Sequence, residues 1–409
     1  MDMQPTARQQ KLIDKARELA MDCFEPRAAE LDRTAQFPVA DYDDLREAGF
    51  LGLCVPEAHG GLGADLETYC LVSEQLAMGN ASTALTYNMH CLTMLMMGEM
   101  ADAHDMDEAK RTRHETLRAR NFAEVIEDGV FYGQPHSEPV EDGETDQVFT
   151  VGGRRFGTTA DKVAGGYRLN GRKFFVSLSD AADYFATPAI LNVDGEFISR
   201  TLYLKVPRNA DGLTFSGDWD ATGMRATVSR NMELRDVFVP DEHQLMPRGK
   251  YYEAALNWPH MFMSLCPTYM GIAQAAFDFT CQYLRGEVEG GPPAGSARHS
   301  ASKQLAVAEM RIKLEQARAL FQRAAGEAAM NPSKDERLRA YATQYTVMEF
   351  SNDICRLALR TCGGRAIFKT LRLEQLYRDS RCGSLMLPWT PEICMERLGR
   401  ESLFEPGEK

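Results

Sequence analysis

The chain has 409 residues, 44% hydrophobic and 26% charged, a globular composition too long for one simple core and suited to two or three packed lobes. Its formal net charge of −13 argues against a nucleic-acid backbone or an anionic membrane surface as partner, although an anionic small molecule can still sit in a local basic pocket. No run of about 18 apolar residues occurs, so no membrane span is expected. The polar start, Met1 to Arg8, runs into an amphipathic helix and lacks the apolar core of a signal peptide. The ten cysteines form no CxxC pair, which argues against a zinc site or redox pair, and most lie among apolar residues. That pattern fits a reducing cytosol, so a cytoplasmic protein is expected.

Residues 1–128 read as helical. From Gln9 to Cys23, Leu12, Ala16, Leu19 and Ala20 recur on one helical face. Phe37–Pro38 opens a helix that ends at Gly49, and Gly60 to Gly63 breaks the chain before another helix from Asp65. Ala84 to Met100 is apolar all round and predicts a buried helix, in which His90 reads as a hydrogen-bonded core histidine. Residues 129–245 change period. Tyr167 to Ser177 reads as two short strands around an Asn170–Gly171 hairpin turn. Thr201–Val206 and Asn231–Val239 alternate and stop at Pro207 and Pro240, so a β-barrel or sandwich is expected. Residues 246–409 are helical again, with Val307, Met310, Leu314, Ala317 and Phe321 on one apolar face. Gly286 to Ser302, rich in Gly, Pro, Ser and Ala, reads as a mobile excursion. A helix bundle interrupted by a β domain leaves a crevice where the lobes meet, a common seat for cofactors.

Several short motifs fall in one order along the chain. The first lobe carries Leu45 to Gly52, Val55-Pro56-Glu57, Gly60 to Gly63 and Ser82 to Thr86. The middle carries Ser137-Glu138-Pro139, Gly171 to Ser177, Gly223 to Ala226 and Val237 to Pro240. The last lobe carries Ala308 to Arg323, Cys362-Gly363-Gly364 and Tyr377-Arg378-Asp379. Each is weak alone, but together, over almost the whole chain, they resemble the acyl-CoA dehydrogenase family. The resemblance implies a mainly α fold with a central β domain: an N-terminal helical domain (1–128), a middle β-barrel domain (129–245) and a C-terminal four-helix bundle (246–409). It also implies FAD, an acyl thioester substrate, an electron-transfer flavoprotein as electron acceptor, and a homo-oligomer, tetramer or dimer.

By that resemblance Gln134, His136 and Ser137 line the flavin's pyrimidine edge, where polar groups must satisfy the ring's carbonyls and nitrogens. Phe175 lies against the isoalloxazine, and the Ser177 hydroxyl sits near its N5. Gly363 and Gly364 let the backbone approach a neighbouring subunit's flavin, where a side chain would block it. Arg360 stands where the family usually has glutamine and suits the pyrophosphate. Arg285 and Arg298 are the candidates for the flavin-phosphate arginine. Thr390 matches a threonine that follows the family's catalytic Glu-Gly pair.

The reaction implied is α,β-dehydrogenation of an acyl thioester, in which a carboxylate of raised pKa removes the α-proton while hydride leaves to the flavin. Here the sequence departs from the pattern. Pro388 takes the glutamate's place and Trp389 the glycine's. The family's alternative place for the base falls near Met261 or Phe262, and the arginine often found at Phe262's position is absent too. Glu392 and Glu253 are the nearest carboxylates in sequence, each with a surface or capping role as its plainer reading. Met261, Phe262, Met263, Met386 and Trp389 would shape the substrate pocket. Three readings stay open: another carboxylate serves as base; the protein is a flavin monooxygenase or oxidase of the same fold, with reduced FMN or FAD as co-substrate; or it is a silent subunit that needs a partner.

Overall fold

Most helices of the first lobe begin where the sequence offers a capping side chain. In the computed structural model, which describes residues 4–138, 157–293, 295, 297–386, 389–404 and 408, Thr6 and Gln9 form a reciprocal capping box that opens α1 (Ala7–Glu18). A π-helical turn leads into α2 (Glu25–Thr34), followed by α3 (Val39–Glu47). Asp65 caps α4 (Leu66–Gly79) by accepting from the Thr68 N–H at 2.8 Å, and Asn80 caps α5 (Ala81–Leu95) through the Ser82 N–H at 3.1 Å. Helix α5 is buried almost throughout, as its all-round apolar pattern requires. His90 is the expected core histidine: its Nε2 lies 2.7 Å from the Leu51 carbonyl and its Nδ1 accepts from the Tyr132 N–H at 3.3 Å. Helix α6 (Glu108–Asp128) completes the lobe.

The strands follow: β1 (Tyr132–Gly133), β2 (Thr159–Val163), β3 (Gly166–Val176), β4 (Tyr184–Leu191), a short α7 (Phe197–Arg200), β5 (Thr201–Pro207), β6 (Leu213–Ser216), β7 (Arg230–Pro240) and β8 (Gln244–Met246). They form one eight-stranded sheet in the order β6-β7-β3-β2-β4-β5-β8, with β1 beside β4. Two expectations need correction. Asn170–Gly171 is no hairpin turn, because β3 runs unbroken through it. Opposite β7 the register shifts there, and the Asn170 side chain accepts from the Asp236 N–H at 2.8 Å. The turn lies at Ala164–Gly165, between β2 and β3, where Gly165 takes a φ of +76°. Strand β5 is buried on both faces rather than alternately, so its Lys205 must be satisfied inside, by Glu124 and by Asn121 Oδ1 at 3.0 Å. Strand β7 keeps the expected alternation, burying Met232, Leu234, Val237 and Val239.

The last lobe comprises α8 (Lys250–Asn257), a 3₁₀ segment (Pro259–Leu265), α9 (Cys266–Arg285), α10 (Ala301–Gly326), α11 (Lys334–Cys362), α12 (Leu373–Cys382) and α13 (Pro391–Leu403). Met310, Leu314, Ala317 and Phe321 are buried as their spacing predicts, and Val307 is half-buried. Helix α9 packs on α4 as well as on α10 and α11, joining the first and last lobes. Ion pairs Arg318–Glu74 (2.6 Å), Arg372–Glu25 (2.7 Å) and Arg378–Asp32 (2.7 Å) cross the same junction. Among the described residues no helix is long and apolar enough to cross a membrane.

Candidate functional site

The first two middle motifs meet at a buried ion pair. Lys173, wholly buried on β3, reaches the Glu138 carboxylate and also donates to the Pro188 carbonyl at 3.2 Å. Glu138 accepts in turn from the Thr158 hydroxyl at 2.7 Å, and the Phe174 N–H binds the Ser137 carbonyl at 2.8 Å. The 134–138 segment is thus tied down beside β3. Pro139 and the rest of its loop lie outside the described residues.

That anchoring puts an unusual surface on display. Phe175 is 66% exposed, with a φ of +53°, at the register shift between Lys173 and Val176. Its ring meets the edge of Trp219 at 6.2 Å. Leu178, Met224 and Val228 also have positive φ, at 66°, 51° and 46°. These residues belong to one network. The Leu178 N–H binds the Thr227 carbonyl, Trp219 Nε1 donates to the Met224 carbonyl at 3.1 Å, and the Ser177 hydroxyl lies 2.8 Å from Ser229, itself 2.8 Å from Thr227. Left-handed backbone is costly for Phe, and more so for β-branched Val228, so its clustering here marks a site whose shape is enforced by its surroundings. Behind it, Gly223 approaches α12 so closely that a Cβ would lie 2.5 Å from the Arg378 carbonyl. There Asp379 accepts from the Met224 N–H at 2.6 Å. Burial pushes the Asp379 carboxyl up to about 7, against the pull of that N–H.

An exposed aromatic face over a strained turn, flanked by hydroxyls, fits a flat polar-edged ring such as a flavin. The implied edge residues lie close by in the chain and are held by two tyrosines. Gln134 Nε2 donates to the Tyr203 hydroxyl at 2.9 Å and to Thr93 at 3.0 Å. His136 Nε2 lies 2.7 Å from the Tyr251 hydroxyl. Tyr203 and Tyr251 stack at 4.4 Å and 18°. Burial, with Lys173 nearby, pushes His136 down to about 3, so the ring is neutral.

The remaining expected cofactor residues have these surroundings. Arg285 ends α9 and pairs with Glu287 at 2.8 Å. Arg298 lies exposed on a 3₁₀ turn, and Arg360 lies exposed in the last turn of α11. Gly363, with φ +83°, ends α11, and neither it nor Gly364 has a neighbour within 4 Å of a would-be Cβ. Thr390 is the N-cap residue of α13, without a side-chain cap bond. Among the described residues no hydrogen bond, ion pair or ring contact links these six to Phe175 or Ser177.

Among the described residues, side chains expected to shape the substrate pocket pack on one another. Phe262 packs on Trp389 at 5.1 Å and Tyr341 on Trp389 at 4.7 Å, around a cavity of about 20 Å³ also lined by Tyr252 and Arg397. That one space is large enough for about one water molecule. Met261 and Met263 are buried beside it, and Met386 accepts a 3.4 Å bond from the Tyr269 hydroxyl. Glu392 is exposed on the first turn of α13. Partial burial raises Glu253, but Lys250 at 2.7 Å and His104 at 3.3 Å outweigh it and hold the carboxyl below its ordinary value, opposite to what proton abstraction needs. Leu387 and Pro388 lie outside the described residues, and neither side chain ionises.

Sequence reasoning missed Tyr203, Tyr251, Trp219 and the hydroxyls of Thr227 and Ser229. Only the Tyr251–Tyr252 pair beside Gly249 hinted at an aromatic role, since the stack joins elements far apart in the chain.

Comparison with known proteins accords with this geometry. Residues 6–112 match the family model described as acyl-CoA dehydrogenase, N-terminal domain, and residues 256–401 match acyl-CoA dehydrogenase, C-terminal domain. YdbM of Bacillus subtilis (strain 168), a protein named after the acyl-CoA dehydrogenases, is 29% identical over 402 residues, covering 96% of this chain and 97% of its own. L-Evernosamine nitrososynthase of Micromonospora sp. is 28% identical, covering 92% of this chain and 86% of its own. Among solved structures, KijD3 in complex with FMN and a dTDP-amino-keto sugar is similar with a TM-score of 0.80 and 25% identity, covering 98% of this chain and 95% of that one. Two matched family models, ordered motifs and helical lobes around a β domain lead to one conclusion: the chain belongs to the acyl-CoA dehydrogenase family.

Proposed function

We propose that this chain is a flavin-dependent oxidoreductase that works without a carboxylate base, using reduced flavin and dioxygen to oxidise a small molecule. The observation that carries this reading is the state of the base positions. Met261 and Phe262 are apolar, Glu253 is paired and Glu392 is exposed. The aromatic packing at Phe262 and Trp389, where an arginine would serve a CoA thioester, points the same way. So does the likeness to L-evernosamine nitrososynthase and to KijD3, whose structure holds FMN. A bound flavin, FAD or FMN, supplies the two-electron chemistry and the reaction with dioxygen. Phe175 would hold its ring, Ser177 would offer it a hydroxyl, and Gln134, His136 and Ser137 would serve its polar edge. Arg285, Arg298, Arg360, Gly363, Gly364 and Thr390 would serve this or a neighbouring subunit's flavin in a tetramer or dimer. The exposed Ile367 and Phe368 beside the glycine pair support such a contact. A cytoplasmic location fits a supply of reduced flavin.

The test is isotopic. Protein supplied with chemically reduced FMN or FAD, ¹⁸O₂ and a panel of amines, phenols and heterocycles should yield one product carrying ¹⁸O. Consumption of flavin without labelled product from any class would contradict oxygen insertion.

A second reading is α,β-dehydrogenation of an acyl thioester, with electrons passed to an electron-transfer flavoprotein. The end-to-end likeness to YdbM favours it. It requires a base that no described carboxylate at the expected places supplies.

A further inference from the structure

We propose that Asp379 is a positioning residue for the flavin seat: through the backbone of Met224 it holds both Trp219, at the edge of Phe175, and the hydroxyl chain that ends at Ser177. The role rests on the flavin reading given above and assigns a task to a buried carboxyl that oxidation at a flavin does not itself need.

Asp379 lies fully buried on α12. A buried carboxyl is costly unless cations or several donors satisfy it. The nearby cations are engaged elsewhere. Arg378 reaches Asp32 and Glu374, each at 2.7 Å, and Arg372 reaches Glu25 at 2.7 Å. The Asp379 carboxyl is directed instead at one backbone group. It accepts from the Met224 N–H at 2.6 Å, with Gln375 close by.

Met224 needs such a hold. Its φ of 51° and ψ of 38° are left-handed, a costly conformation for a residue with a Cβ. Gly223 before it lies against the Arg378 carbonyl, where a Cβ would come within 2.5 Å. The turn is therefore pressed onto α12, and the bond to Asp379 fixes how Met224 leaves it.

The Met224 carbonyl then serves two branches. It accepts from Trp219 Nε1 at 3.1 Å, and the Trp219 ring meets Phe175 edge-on at 6.2 Å and 74°. It also accepts from the Thr227 hydroxyl at 2.9 Å and from the Thr227 N–H at 3.2 Å. A carbonyl only accepts, so the Thr227 hydroxyl hydrogen points to Met224. Ser229, 2.8 Å from Thr227, must donate to it, and Ser177, 2.8 Å from Ser229, must donate in turn. One residue thus sets the aromatic wall beside Phe175 and the direction of the Ser177 hydroxyl. A seat ordered before the ligand arrives binds more tightly, because ordering is not charged to binding.

The experiment uses the full-length protein at pH 8 and reads two signals. One is the near-UV circular dichroism of the protein without flavin, with Trp219→Phe defining that ring's contribution. The other is the dissociation constant for FAD and for FMN, from absorbance titration. Far-UV spectra check folding. Asp379→Leu removes the acceptor and should erase the Trp219 signal and weaken flavin binding roughly tenfold. Asp379→Asn still accepts from the Met224 N–H, so it should keep the signal and bind within about threefold of wild type. Glycine adopts left-handed backbone freely, so in a Met224→Gly background Asp379→Leu should weaken binding by less than about threefold. A folded Asp379→Leu protein with the Trp219 signal intact, or with flavin affinity within about twofold of wild type, would overturn the proposal. So would a roughly tenfold loss that persists in the Met224→Gly background. If Asp379→Leu does not fold, two other variants decide. Trp219→Phe should weaken binding at least about threefold, and an unchanged affinity there, or a loss of about tenfold in Asp379→Asn, overturns the role. A wild-type protein that binds neither flavin brings down the flavin reading and this role with it. A wild type that binds flavin, with variants that bind equally well, brings down this role alone.

Discussion

Replacing Phe175 by glycine should separate stability from ligand binding. The ring is 66% exposed, so folding covers about a third of it. Complete burial of such a side chain is worth about 1.5–3 kcal/mol, so the covered third contributes about 0.5–1 kcal/mol. Against that loss stands the left-handed backbone at φ +53°, which costs a non-glycine residue roughly 1–2 kcal/mol. Glycine relieves it but brings its own entropic cost of about 0.5–1 kcal/mol. The sum leaves Phe175→Gly within about 1 kcal/mol of wild type in urea unfolding. Flavin affinity should behave differently. Covering the remaining two-thirds of the ring is worth about 1–2 kcal/mol. Ring stacking adds about 0.5–1.5 kcal/mol. Binding should therefore weaken about 10- to 300-fold. The assay pairs urea unfolding by circular dichroism with absorbance titration of FAD and FMN, and Phe175→Tyr serves as the conservative control. Loss of 2 kcal/mol or more of stability together with unchanged flavin affinity would make Phe175 a core residue and refute the reasoning.

Other outcomes follow from the same geometry. Glu138→Ala removes the carboxylate beside buried Lys173 and should cost about 3 kcal/mol or more in thermal or urea unfolding, whereas the paired change Glu138→Leu with Lys173→Met should cost far less. Asp379 holds its proton more tightly folded, at about 7, than in the unfolded chain, so its contribution favours folding at low pH and is lost as pH rises through 7. Each pH unit is worth at most about 1.4 kcal/mol, so up to about 4 kcal/mol of pH-dependent stability between pH 4 and 8 should vanish in Asp379→Asn. Parallel stability–pH curves for the two proteins would count against this. Glu253→Gln and Glu392→Gln should each leave turnover within twofold of wild type, and a hundredfold loss in either would restore that residue as a base.

The helical lobes were legible because their signals are local. Capping boxes, the apolar face of α10 and the all-round apolar α5 each reside in one short stretch. The sheet was harder where tertiary contacts override local chemistry. Asn170–Gly171 is a strong turn signal, yet Asn170 spends its side chain bracing a bulge against Asp236, and the turn falls five residues earlier at Gly165. Thr201–Val206 alternates in sequence, but cover on both faces buries every residue, including Lys205. Motif order singled out Phe175 and Ser177 together, and the structure adds that Phe175 is exposed in left-handed backbone. Among the described residues no hydrogen bond, ion pair or ring contact joins the arginines or the glycine pair to them. The tyrosine stack was beyond reach because Tyr203 and Tyr251 have no local reason to meet. The apolar residues at the family's two base positions were plain in the sequence, and packing adds that Glu253 is paired and Glu392 exposed.

A flavin site without a carboxylate base is open to one decisive anaerobic measurement. The purified protein is loaded with FAD or FMN, oxygen is removed, and acyl-CoA thioesters of several chain lengths are added while the visible spectrum is recorded. The oxidised flavin band should persist with every thioester. Rapid bleaching by any of them would mean that some group takes the α-proton after all, and would contradict it.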